Sequence, residues 1–169
     1  MNKNDLRFQK TEILIKNTYI KLKKKGSTVV KVKDLCDAAM INKTTFYAHY
    51  ETIEHLHKAV CKEFATKILN HNPYIDKIET ETRTFIYAIL ASFVDKVGTI
   101  EKLYGDDLNA LVNDIECVLM ERFAESSVSE DRILSIRFCI GGAFRLLAEN
   151  RDLPRVQKTV ALIERVMNS

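Results

Sequence analysis

Turn-forming residues are scarce in this chain of 169 amino acids, which has only five glycines and two prolines. An all-β fold with many tight turns needs more of both, so that class is excluded. No apolar run approaches the roughly 18 residues that span a bilayer. The first ten residues, MNKNDLRFQK, lack the apolar stretch of a secretory signal. A cytoplasmic protein with no membrane partner is therefore expected. C-x-x-C pairs are absent: Cys36, Cys61, Cys117 and Cys139 lie 25, 56 and 22 residues apart. None is spaced like a metal ligand with the four histidines. The cysteines are expected to be small apolar residues kept reduced, with redox sensing as the alternative.

Catalytic signatures are missing too. There is no Gly-rich phosphate loop, G-x-S-x-G or H-E-x-x-H. His55 and His57 are two apart, so on a helix they face different ways. The acidic pairs Asp106-Asp107 and Glu130-Asp131 fall at expected helix starts, where capping explains them. No enzyme, cofactor or metal is expected.

What is present is helix-forming material. Apolar residues make up 46% and charged residues 29%, which suits a folded chain rather than a disordered one. A chain of this length buries roughly 70% of the surface its unfolded form exposes. The net charge of +3 conceals an asymmetry: residues 1–70 carry 14 Lys/Arg against 7 Asp/Glu, and residues 71–169 carry 12 against 16. A basic head on an acidic body fits a nucleic-acid-binding module attached to a non-binding one.

Apolar spacing predicts helices over 5–25, 32–39, 43–50, 52–70, 79–97, 107–124 and 129–150, and a last one after Asp152 with Pro154 in its first turn. In the first, Leu14, Thr18 and Leu22 make a stripe beside Ile15 and Tyr19. Gly26 and Gly98 are read as stops. The expected fold is all-α with about nine helices. It divides into a three-helix head over 1–51 and a helical regulatory and dimerisation domain over 52–169, with helix 4 (52–70) connecting them.

The informative stretch is 28–56, TVVKVKDLCDAAMINKTTFYAHYETIEHL. It reads as helix, tight turn, short helix, then the cap of a longer helix, which is a helix-turn-helix. Asn42 is a good N-cap for the second helix. Lys43, Thr44, Thr45, Tyr47 and His49 crowd that helix with side chains able to meet phosphates and base edges. Phe46 and Tyr50, four apart, anchor its other face.

The string D-L-C-D-A-A-M-I-N-K-T-T-F-Y-A-H-Y-x3-E-x-L resembles the N-terminal module of TetR-type (TetR/AcrR) transcriptional regulators. That module typically reads D-I-A-x-x-A-G-V-S-x-x-T-F-Y-x-H-F-x3-E-x-L. The likeness rests on Asp34, Leu35, Ala39, Ile41, Thr45, Phe46, Tyr47, His49, Tyr50, Glu54 and Leu56, and covers about 30 residues directly. It departs at Met40, where the family has glycine, and at Ala48, often a long polar residue. It departs again at Lys31 (Ser/Thr) and at Ile53 (Lys).

The resemblance implies a homodimeric repressor that reads a palindromic duplex operator. Lys43, Thr44 and Thr45 would meet bases or nearby phosphates, Tyr47 and His49 would clamp phosphates, and Lys31, Lys33 and Asn42 would assist. It also implies an effector pocket in the second domain, for which Phe64, Phe85, Tyr87, Phe93, Tyr104 and Phe123 are the candidates. The alternative is a domain that docks a protein partner instead of a small effector.

The dimer is expected from two stripes. Val156, Val160, Ile163 and Met167 repeat as in a coiled coil. Ile133, Ile136, Ile140 and Phe144 form a second stripe with Gly141-Gly142 inside it, where close helix approach would justify glycine.

Overall fold

A computed structural model describes residues 5–24, 29–78, 80–124 and 128–149, together with 154, 158, 159, 161, 162 and 165. Among the described residues the chain is all-α, with no strand. The elements are α1 (Leu6–Lys24), α2 (Val32–Ala39), α3 (Lys43–His49), α4 (Ile53–Asn70), a 3₁₀ turn (Ile75–Lys77), α5 (Thr82–Asp95), α6 (Val97–Tyr104), α7 (Leu108–Phe123) and α8 (Glu130–Glu149). No described helix is long and apolar enough to cross a membrane. Residues 154, 158, 159, 161, 162 and 165 are helical, in the stretch where the last helix was expected. Val156, Val160, Ile163 and Met167 lie outside the described residues, as do Gly26 and Asp152.

Two compact units divide the chain, Met1–Cys61 and Lys62–Ser169, and the boundary falls inside α4. In the first unit α1 buries Phe8, Ile15, Thr18 and Tyr19, while Leu14 of the expected stripe is 44% exposed. The chosen stripe lies one step round the helix and trades Leu14 for two aromatic rings, which bury more apolar area. Leu35, Cys36 and Ala39 of α2, Phe46 of α3 and Leu56 and Val60 of α4 complete the core of this unit.

The second unit is built on α5, α7 and α8. Phe85, Ile86, Ile89, Leu90 and Phe93 of α5 are buried, as are Leu111, Ile115 and Leu119 of α7 and Ile136, Ile140 and Phe144 of α8. Phe93 meets Phe144 edge to face, with centroids 5.1 Å apart. Buried Asn72 guides the chain out of α4: its Nδ2 donates to the Phe85 carbonyl at 2.9 Å, and its Oδ1 accepts from the Tyr74 amide at 2.9 Å.

Gly98 does not end a helix. The break between α5 and α6 is at Lys96, whose amide donates back to the Ser92 and Phe93 carbonyls, and α6 then runs through Gly98. Ile100, Leu103 and Tyr104 bury one face of α6. The stop is at Gly105, with φ 59° and ψ −128°, a conformation that L side chains rarely enter.

Ile136, Ile140 and Phe144 correct the expected dimer stripe. All three are almost fully buried within the chain's own packing, so this stripe serves the core and not a partner. Among the described side chains of α8, Leu134, 53% exposed, and Phe138, 73% exposed, are the large apolar ones left outside. Gly141 is half-buried and Gly142 exposed, and a Cβ on either would meet nothing within 4 Å. Close helix approach does not explain these glycines among the described residues.

Candidate nucleic-acid interface

The turn between α2 and α3 is set by Met40. It is left-handed, with φ 53° and ψ 43°, and its amide donates to the Asp37 carbonyl. The Ile41 amide reaches back to the Cys36 carbonyl at 3.0 Å. These two bonds make a Schellman closure with methionine where glycine is usual. The side chain is 92% exposed, so it meets no steric barrier, and the backbone alone carries the cost of roughly 1–2 kcal/mol.

Two residues later Asn42 caps α3. Its Oδ1 accepts from the Thr45 amide at 2.7 Å and from Thr45 Oγ1 at 2.9 Å. Asn42 and Thr45, both expected at the interface, therefore spend these groups on the helix start. The Asn42 Nδ2 donors are not part of this cap.

Anchoring on the inner side follows the sequence spacing. Phe46 is fully buried and Tyr50 nearly so. The Tyr50 hydroxyl donates to Glu12 Oε1 at 3.1 Å, and Lys16 Nζ lies 3.1 Å from the same oxygen. Burial would raise the Glu12 carboxyl, but the Lys16 hydrogen bond and charge, with Tyr50, hold it below its ordinary value. An ionised carboxylate thus ties α1 to the end of α3.

His49 sits on this inner edge. Its ring stacks on Phe8 with centroids 3.8 Å apart and planes 25° apart. Nδ1 is buried and has no hydrogen-bond partner. A proton there would be an orphaned donor, so the neutral tautomer carries its hydrogen on Nε2. Burial pushes the imidazole below its usual value, against the opposing pull of Glu12. His49 can therefore offer one neutral N–H donor, not a cation.

The opposite face of α3 is open. Lys43, Thr44 and Ala48 are exposed, and Tyr47 is 54% exposed with its ring edge-on to Phe46 at 5.4 Å. Lys31 and Lys33, at the start of α2, are exposed as well. The surface on α2 and α3 thus displays three ammonium groups, two hydroxyls and one methyl, chemistry suited to phosphates and groove edges.

Behind α3, the first turn of α4 is capped by Thr52, whose Oγ1 accepts from the His55 amide at 3.1 Å. Further along α4, Tyr19 Oη and His57 Nδ1 lie 3.1 Å apart, joining α4 to α1. Burial, with Cys61 and Glu54 nearby, pushes the Tyr19 phenol up to about 12. Cys61 Sγ lies 3.6 Å from His57 Nε2. None of the four cysteines is in a disulfide. Burial raises Cys36 and Cys139, which makes them poor nucleophiles. No group of three or more His, Cys, Asp or Glu that could hold a metal occurs among the described residues.

The expected pocket residues do not converge. Phe85 and Phe93 are sealed in the core, Tyr104 and Phe123 are buried, Phe64 is half-buried and Tyr87 is 41% exposed. Phe64 does meet Tyr104, with centroids 6.4 Å apart, and Tyr104 donates to Asp114 Oδ2 at 2.9 Å. A cleft of about 400 Å³ does exist, at the edge of α7 and α8, and none of those six residues lines it. Aromatic spacing marks a core more readily than a cavity, and the sequence signal it could have offered instead was Asp106, the half of the acidic pair that does not cap α7. No family model matches this chain, and no curated protein sequence matches it.

Proposed function

We propose that the chain is a DNA-binding transcriptional regulator of TetR type, whose helix-turn-helix is α2, the 40–42 turn and α3. The observation that carries this reading is the two-sidedness of α3. Phe46 and Tyr50 are buried, while Lys43, Thr44 and Tyr47 stand outward beside Lys31 and Lys33. A surface helix that served only solubility would have no need of a Tyr held on edge or a turn closed at the expense of a left-handed methionine. In this reading α3 enters the major groove, Lys31, Lys33, Tyr47 and the Nε2–H of His49 meet phosphates, and Lys43 and Thr44 reach base edges. Ala48 offers its methyl to a thymine.

A single head reads too little sequence to be selective, so the reading includes a homodimer on a palindrome. Leu134 and Phe138 of α8 are its proposed contact. The same exposed pair also suits a different protein partner, which is the second reading.

Selection of bound fragments from random duplex DNA, followed by a salt titration of the best fragment, tests the proposal. A palindromic winner is expected, with log affinity falling by about 0.9 per phosphate contact for each decade of salt. No enrichment over bulk DNA would overturn it.

A further inference from the structure

We infer that the cleft between the start of α7 and the C-terminal half of α8 binds a small zwitterion, an amine and a carboxylate carried on an apolar body. The cleft measures about 400 Å³, within the range of roughly 300–1,000 Å³ that holds small organic ligands. Its position is fixed by backbone. Gly105, with φ 59° and ψ −128°, turns the chain out of α6, and Asp106, Leu108 and Asn109 just beyond it enter the lining. Arg145 on α8 contributes to another part of the lining.

The polar groups are what a zwitterion requires. Asp107 is consumed in capping α7, its Oδ1 accepting from the Ala110 amide at 3.1 Å. Asp106 is not so used. Neither its carboxylate nor the Arg145 guanidinium is in an ion pair or a hydrogen bond among the described residues. Two opposite charges therefore border one cleft without neutralising each other. Arg145 presents a fork that matches a carboxylate, and Asp106 accepts from an ammonium. A dianion such as phosphate would be opposed by Asp106. Leu108, Val112 and Phe144 supply apolar lining, and the Asn109 amide can add a hydrogen bond. Gly141 leaves the space open, since a Cβ there would meet nothing within 4 Å.

The inference does not depend on DNA reading, and its test measures binding directly. The full chain is titrated with L-phenylalanine, phenylacetate and phenethylamine by calorimetry and by amide chemical shifts. L-phenylalanine is expected to bind at least about tenfold more tightly than either single-charge analogue, the yield of one charge-assisted hydrogen bond. Arg145→Gln and Asp106→Asn should each weaken it by about tenfold or more, with helicity unchanged. Gly141→Leu keeps both charges and fills the cleft, so it should abolish binding while leaving the fold at least as stable. No saturable binding of L-phenylalanine, or binding indifferent to Arg145→Gln and Gly141→Leu, overturns the inference. So does a Gly141→Leu variant that binds nothing differently but changes mass in sedimentation, which would give the cleft to a second copy of the chain.

Discussion

The Phe8 ring lies 3.8 Å from that of His49 and nearly parallel to it, so α1 and α3 are joined through an imidazole whose Nδ1 is buried and unpartnered. This arrangement holds only while the imidazole is neutral. Protonation would place an N–H⁺ at Nδ1 with no acceptor, and Glu12, already bonded to Lys16 and Tyr50, compensates only in part.

The consequence is acid sensitivity with a definite sign. The folded-state value of His49 is depressed below 6.5, chiefly by burial. The unfolded chain therefore takes up the proton first as pH falls, and stability drops from about 6.5 downward until the folded form also titrates. Above that value the contribution is complete. Urea midpoints at about pH 7.5 and 5.5 should fall further for the wild type than for His49→Gln. An equal fall in both would assign the acid loss to other groups.

A second prediction concerns Met40. Its left-handed backbone costs roughly 1–2 kcal/mol that glycine would not incur, part of which glycine returns through its larger unfolded-state entropy. Met40→Gly should therefore stabilise the head by about 1 kcal/mol, and Met40→Val should destabilise it by at least as much. Denaturant midpoints at unchanged slope check both. A less stable Met40→Gly would mean that the turn adopts another conformation.

Asn42 separates stability from recognition. Its Oδ1 holds the first turn of α3, so Asn42→Ala should cost about 1 kcal/mol. Asn42→Asp keeps the cap and adds a charge favoured at a helix N-terminus, so thermal stability should hold. The same charge faces phosphates in the proposed complex, and DNA affinity should fall. If Asn42→Asp left DNA affinity unchanged, Asn42 would lie outside the interface.

Lys43 and Tyr47 should behave differently from Asn42. Both are exposed, so Lys43→Ala and Tyr47→Ala should leave helicity intact while weakening DNA binding. Should Lys43 meet a phosphate, its removal lowers the salt slope by about 1. A base contact would instead relax preference at one position. Unfolding of the head by Tyr47→Ala would place that ring in the core.

The bounds of α2 and the start of α3 were the most legible part of the chain because local chemistry decides them. Val32–Ala39 and the start of α3 at Lys43 follow from a cap residue, an apolar triplet and a turn within a dozen positions. What failed depends on distant packing. Leu14 and Ile15 are adjacent and equally apolar, and only the rings of Phe8 and Tyr19 on the same side as Ile15 decide which one faces in. Gly98 has the identity of a stop signal, yet Ile100, Leu103 and Tyr104 at helical spacing outweigh a local cost near 1 kcal/mol. The Ile136, Ile140 and Phe144 stripe was visible, but a sequence does not say whether a stripe meets its own chain or a copy.

Leu134 and Phe138, four apart on α8, are exposed, and the proposed dimer places a second copy on them. An exposed phenylalanine next to an exposed leucine presents apolar area that a lone chain leaves in water, at about 25 cal/mol per Å². Beside them Arg137 pairs with Glu116 of α7 at 3.2 Å, a rim of the kind that surrounds an apolar contact. Phe138→Glu should therefore convert a dimer to monomers in sedimentation while the circular dichroism of the chain is unchanged. Ile136→Glu buries a charge in the core, and should unfold the second unit instead of separating two intact ones. If Phe138→Glu left the mass unaltered, Leu134 and Phe138 would be available to a different protein, and the palindrome would have to be read by a dimer held together elsewhere.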